Sequence, residues 1–160
     1  MSLIRDITDS IARKLRESEY YRTTPVIPVV SEDSKDIMAE IDAAATKGCM
    51  VLVNFDSGDD VATDAPGPCI DSASFTVTVS EAPQVWRASS RNLAPSAAAV
   101  AEATARLLHH FQPVDRDDAA LVSGVLMFDG MQQRANESFL QYVLTFTLPV
   151  ILGNQTEPTR

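Results

Sequence analysis

The sequence predicts an α/β (α+β) domain, a mixed, mainly antiparallel sheet of about four to five strands packed with about two to three helices. Three patterns carry that reading. Leu3, Ile4, Ile7, Ile11 and Leu15 recur at helical steps, Phe75 to Ser80 and Phe139 to Leu148 alternate between apolar and polar, and Met50 to Phe55 form a short, nearly unbroken apolar run. Helical and strand periods thus follow one another within 160 residues, whose 45% hydrophobic content is ample for one core. The expected organisation is one domain over 1–152 and a flexible C-terminal tail over 153–160.

Arg5, Asp9, Arg13, Lys14 and Glu17 separate the apolar positions of the first segment, which makes an amphipathic helix over 2–18. After Tyr20 and Tyr21, Pro25-Val26-Ile27-Pro28-Val29-Val30 suits a short extended segment, and its prolines favour a sheet edge. Ser31 to Ser34 supply helix-start residues, Ile37, Met38, Ile41 and Ala45 line one face, and Gly48 can adopt a left-handed stop, so a second helix is expected over 34–47. The apolar run at 50–55 predicts a strand covered on both faces.

Between Asp56 and Asp71 the composition turns to Asp, Gly, Pro, Ser and Ala, which predicts a long, exposed, mobile loop carrying Asp56, Asp59, Asp60 and Asp64. The strand at 75–80 follows, with Phe75, Val77 and Val79 on its buried face. Pro95 suits the first turn of a third helix, in which Val100, Ala103, Leu107, Leu108 and Phe111 repeat until Pro113 stops it. Small side chains at Ala97 to Ala101 would let another backbone come close. Leu121 to Phe128 reads as a strand, Asp129-Gly130 as a turn signal, and Met131 to Glu137 as a polar stretch. The last strand, 139–148, shows Leu140, Tyr142, Leu144, Phe146 and Leu148 on one face, and pairs naturally with the strand before it as a hairpin.

The chain offers little for catalysis. His109 and His110 are its two histidines, adjacent at a helix end, where side chains about 100° apart cannot readily share one metal or substrate. They suit the negative end of the helix dipole. Asp56-Ser57-Gly58-Asp59-Asp60 crowds carboxylates but lacks the alternating ligands and closing Glu of a calcium loop, so a solvated acidic loop is the favoured reading. No glycine motif cradles a phosphate. Cys49 and Cys69 have no metal-ligand or redox spacing, and Asn136-Glu137-Ser138 and Asn154-Gln155-Thr156 mean little as glycosylation patterns without a secretory signal. No catalytic, metal or cofactor residue is assigned. Trp86, Arg87 and Arg91 lie in a connection; Trp86 suits an interface anchor and the core about equally.

A net charge of −9 argues against sequence-specific nucleic acid or an anionic membrane as partner, since those need clustered Lys and Arg. No apolar run approaches the roughly 20 residues that cross a bilayer, and the charged start of the chain is unlike a signal segment. An intracellular protein, or one carried in a particle, is the expectation.

The Ile4-Arg5-Asp6-Ile7 to Leu15 helix, the segment Arg91-Asn92-Leu93-Ala94-Pro95 with its helix ending Leu107-Leu108-His109, and the closing Tyr142-Val143-Leu144-Thr145-Phe146 strand together resemble small phage tail proteins of the tail-terminator or tail-completion type, over nearly the whole chain. The resemblance implies a homo-oligomeric ring, usually hexameric, that caps the tail tube, halts its polymerisation and presents a surface to the head-side connector. It implies the tail tube protein and the head–tail connector protein as partners, and the virion tail, or the bacterial cytoplasm during assembly, as location. Asp56, Asp59, Asp60, Asp64, Trp86, Arg87 and Arg91 are its candidate interface residues. A neck or tail-completion protein is the near alternative. A divalent-metal enzyme using Asp56, Asp59, Asp60 and Asp71, and a small-ligand or regulatory module, are readings from other classes.

Overall fold

The structure is a computed structural model and describes residues 2–23, 26–32, 35–45, 48–58, 69–81, 95–136 and 139–152. Helix α1, Leu3–Glu17, begins where the Ser2 hydroxyl accepts from the Arg5 N–H at 3.4 Å. Asp6 in its first turn and Lys14 and Arg16 in its last suit the helix dipole. Ile7, Ile11, Ala12 and Leu15 form its buried face, as the spacing predicts. Ser18 ends this helix by donating from its backbone N–H to Leu15 O, and its hydroxyl caps a one-turn helix α2, Glu19–Arg22. That turn delivers Tyr21 into the core. Four residues are too short for a period, which is why α2 escapes a reading of apolar spacing.

Strand β1 is Val29–Ser31, helix α3 is Ile37–Ala45, and strand β2 is Cys49–Ser57. Gly48 stands at φ 84° between α3 and β2, the left-handed stop expected of it. Strand β3 is Cys69–Glu81, helix α4 is Ala97–Leu108, and β4, Met127–Ala135, is followed by β5, Leu140–Ile151. The five strands form one sheet in the order β1-β2-β3-β5-β4, with β1 parallel to β2 and every other neighbour antiparallel. The fold is α+β, with the mixed, mainly antiparallel sheet that the sequence predicts.

The helix-covered face of this sheet holds the core. Val51, Val53, Phe75, Val77, Val79, Leu144, Phe146 and Leu148 are fully buried there with Ile7, Leu15, Val100 and Leu108. Full burial of one such side chain is worth about 1.5–3 kcal/mol. Ala97 and Ala101, both fully buried, let α4 lie close to the sheet.

Several expected boundaries shift. Pro95 precedes α4, whose cap is Ser96, with its hydroxyl accepting from the Ala99 N–H at 3.3 Å. Asp56 and Ser57 belong to β2 and Cys69 to Asp71 belong to β3, so both ends of the expected loop are strand; residues 59–68 lie outside the described ones. The strand β2 is covered on both faces only in part: α3 packs against β1 and β2, but Leu52 and Asn54 line an open groove.

The largest shift concerns the last hairpin. Leu121 to Leu126 is not a strand, because its backbone is spent on the segment that leaves α4. His110 N–H donates to Leu126 O and Leu126 N–H to Phe111 O, each at 2.8 Å, and Leu121 N–H donates to Pro113 O at 3.0 Å. Pairing begins at Met127 and includes Asp129-Gly130, where a bulge stands in place of the expected turn. The hairpin closes instead between Asn136 and Phe139, where Asn136 Oδ1 accepts from the Phe139 N–H at 2.9 Å. The tail at 153–160 lies outside the described residues.

Candidate functional site

At one side of the sheet, β4 presents a nine-residue edge to solvent. Among the described residues no strand pairs with its outer side. Met127, Phe128 and Met131 are 43%, 36% and 40% exposed, an unusual cluster of large apolar side chains on one edge strand. Phe128 leans on the buried Phe146, with ring centroids 5.6 Å apart, so it is held in position. Ile151 and Leu152, at the end of the neighbouring strand, are exposed as well.

The sheet face opposite the helices is a shallow groove of about 570 Å³. Its floor is polar, with Asn54, Thr76, Thr78, Gln141 and Thr145 from three strands, and Asp129 and Arg134 of β4 stand on one wall. Thr76 donates to Asn54 Oδ1 at 2.9 Å and Gln141 donates to Ser80 Oγ at 3.0 Å, so the floor is cross-linked by its own hydrogen bonds. Alternation along β3 and β5 puts these hydroxyls and amides opposite the core residues.

A second cleft, of about 620 Å³, lies between α1 and the turn at Asp115 to Ala119. Arg13 bridges its walls: its Nε donates to Asp9 Oδ2 at 3.1 Å and its Nη2 to Val114 O at 2.9 Å. Ser10 accepts from the Val114 N–H, and Asp115 accepts from the N–H groups of Asp117 and Ala119, so this turn is pinned to α1. The cleft mixes acids and bases and selects no charge.

The histidines correct one expectation. The helix ends at Leu108 and His110 turns left-handed at φ 66°, so the two rings stack at 4.0 Å between centroids instead of diverging. His109 Nδ1 accepts from the Phe128 N–H at 3.2 Å, which ties the end of α4 to the start of β4 and puts the proton of a neutral ring on Nε2. That bond gives His109 a positioning role.

Two buried groups are chemically quiet. Burial, with the charge of Glu81 nearby, pushes the Cys49 thiol up to about 12, so it is no thiolate at neutral pH. Burial likewise raises Tyr21, whose hydroxyl meets that of Thr104. Since Thr104 donates to Val100 O at 2.7 Å, Tyr21 is the donor to Thr104. Glu81 itself is buried and accepts from the Ala97 N–H at 2.7 Å, joining the end of β3 to the start of α4.

Of the residues singled out from the sequence, Asp56 is exposed at the end of β2 and lines the groove. Asp59, Asp60, Asp64, Trp86, Arg87 and Arg91 lie outside the described residues, as does the side chain of Asp71. Among the described residues there is no group of three or more His, Cys, Asp or Glu that could hold a metal ion, and no helix long and apolar enough to cross a membrane. Sequence reasoning missed Met127, Phe128 and Met131. The available signal was Asn136, an Asx-turn residue whose distance from Phe139 centres the hairpin and makes Met127 to Ala135 the partner strand.

The chain matches no protein-family model and no curated protein. Among the solved structures that align with it, one does so at a TM-score of 0.45 and 16% identity, over 94% of this chain and 97% of the other. A likeness at that level carries no argument about function.

Proposed function

We propose that this chain is a structural protein that works by assembling with copies of itself, in the manner of a phage tail terminator. In that role it forms a ring, usually hexameric, that caps the tail tube, ends its polymerisation and offers the joining surface to the head-side connector. The observation that carries the reading is the β4 edge: a long strand bearing Met127, Phe128 and Met131 in solvent is a liability in an isolated protein and useful in one that meets other chains. The net charge of −9 fits a lumen that lets DNA pass without adhering. A ring bound at the tube end would block the next tube subunit by occupying its docking surface. The location that follows is the virion tail, or the bacterial cytoplasm during assembly.

The test is to add the purified chain to polymerising tail tubes and image the ends. The expected result is ring density at one end and arrested growth. Tubes that keep bare ends and elongate as they do without the chain would remove the reading.

A further inference from the structure

We propose that two copies of this chain pair through their β4 edges, antiparallel about a two-fold axis at Gln132, joining their sheets into one. The backbone decides which groups are on offer. Asn136 N–H donates to Phe139 O at 3.0 Å and closes the hairpin. Counting back by alternation, Arg134 and Gln132 turn their peptide groups to β5, whereas Met131, Gln133 and Ala135 turn theirs outward. A two-fold axis at Gln132 sets Met131 against Gln133 twice, and each such pair can exchange both of its N–H···O bonds. The strand is thus complementary to itself without any shift of the chain.

The side chains favour the same register. Arg134 falls opposite Gly130 of the other copy, where a Cβ would meet nothing within 4 Å, so there is room for a guanidinium. Asp129, the bulge residue beside Gly130, lines the same groove as Arg134. A carboxylate therefore stands next to each incoming Arg134, and symmetry makes the pair twice. Arg134 Nη2 already reaches Gln132 Oε1 at 3.5 Å, which keeps it on the groove side of the strand. On the other side of the sheet, Met131 gains the aliphatic stem of Gln133 as cover. Charge complementarity of the strand with its own copy is what selects a second copy of this chain over an unrelated strand.

Like joined to like closes at two chains, so the pair is distinct from a ring. The inference stands on the edge geometry and does not depend on the tail reading. Its test is sedimentation of the full chain, of Arg134→Asp, of Asp129→Arg, and of an equal mixture of the two variants, with circular dichroism to confirm that each is folded. The wild type should show a concentration-dependent dimer. Each reversal should weaken it on the order of tenfold, since two cross-strand attractions become repulsions. The mixture should recover wild-type affinity, because each variant supplies the charge that the other lost. A wild type that is monomeric throughout, dimers indifferent to both reversals, or a mixture no tighter than its components would overturn the pairing. Tube capping by a chain that forms no dimer would sink this inference alone, and dimers alongside uncapped tubes would sink the tail reading alone.

Discussion

The two edges of the sheet are built in opposite ways. At β1 the strand has three residues, all buried, and its outward carbonyl is already taken: Arg16 of α1 donates from Nε and Nη2 to Val29 O at 3.1 and 2.8 Å. Val51 N–H donates to Pro28 O and Glu32 N–H to Val53 O, so the Val29 carbonyl between them points away from β2 and would otherwise be free to bind another chain. At β4 the strand has nine residues, nearly all exposed, and the guard is confined to its first residues, where His109 Nδ1 accepts from the Phe128 N–H. Edge strands are a hazard that proteins manage with charge, shortness or cover. One edge here has all three, whereas the other is long and exposed, with Met127, Phe128 and Met131 beside Asp129 and Arg134, and that contrast is why the proposed pairing is placed at β4.

The largest effect expected from that division is alkaline, and it belongs to the guarded side. The Cys49 thiol moves from an ordinary 9.0 to about 12 through burial first and the Glu81 charge second, and Tyr21 is raised from 10.0 mainly by burial. Both are acids held neutral by the fold, so their contribution is intact below about pH 9 and is lost as pH rises toward 12, where the unfolded chain ionises and the folded one resists. Every tenfold weakening of an acid by the fold corresponds to about 1.4 kcal/mol. Urea unfolding at stepped pH should show stability falling through that window, and Cys49→Ala should flatten the fall. A wild-type curve level from pH 9 to 12 would show that burial of these groups does not govern the guarded side.

Next in size is Arg16→Ala, which strips a charged two-pronged donor from Val29 O and should cost about 2 kcal/mol in urea unfolding. Dimer affinity should not change. If it did, the two edges would not be separable. Tyr21→Phe should cost about 1 kcal/mol, because it deletes one buried hydrogen bond while Thr104 keeps its own acceptor in Val100 O.

The same contrast explains what could be seen in the sequence. Elements that bury one face announced themselves: α1 by Ile7, Ile11 and Leu15, β3 by Phe75, Val77 and Val79, and β5 by Leu144, Phe146 and Leu148, all fully or nearly fully buried. The edge β4 has no face that is buried within the chain, so Gln132, Gln133 and Arg134 obey no apolar period and looked like a loop. Leu121, Val122 and Leu126 misled in the other direction, being apolar because they pack beside the end of α4. The histidine geometry was hidden for a local reason: a left-handed His110 cannot be inferred from helical spacing. The acidic residues 59–64 and the 86–91 connection stood out by composition, while the edge that the geometry singles out did not.

The smallest expected effect on stability is the most pointed test of the comparison. Met131→Lys alters a side chain that is 40% exposed on an edge strand, and the lysine stem can lie where the thioether lay with its charge in water. Unfolding free energy should stay within about 0.5 kcal/mol of wild type. Association should weaken, because Met131 on each copy sits one residue from the axis and the two new ammonium groups share one face of the joined sheet. Salt then separates this cause from a general loss of fit. Added salt should weaken the wild-type pair by screening Asp129 from Arg134, and should weaken the variant pair less, because there it also screens the two lysines from each other. Parallel salt responses in the two proteins would mean that Met131 and Arg134 do not belong to one interface, and the bare edge would lose its claim as the surface where copies meet.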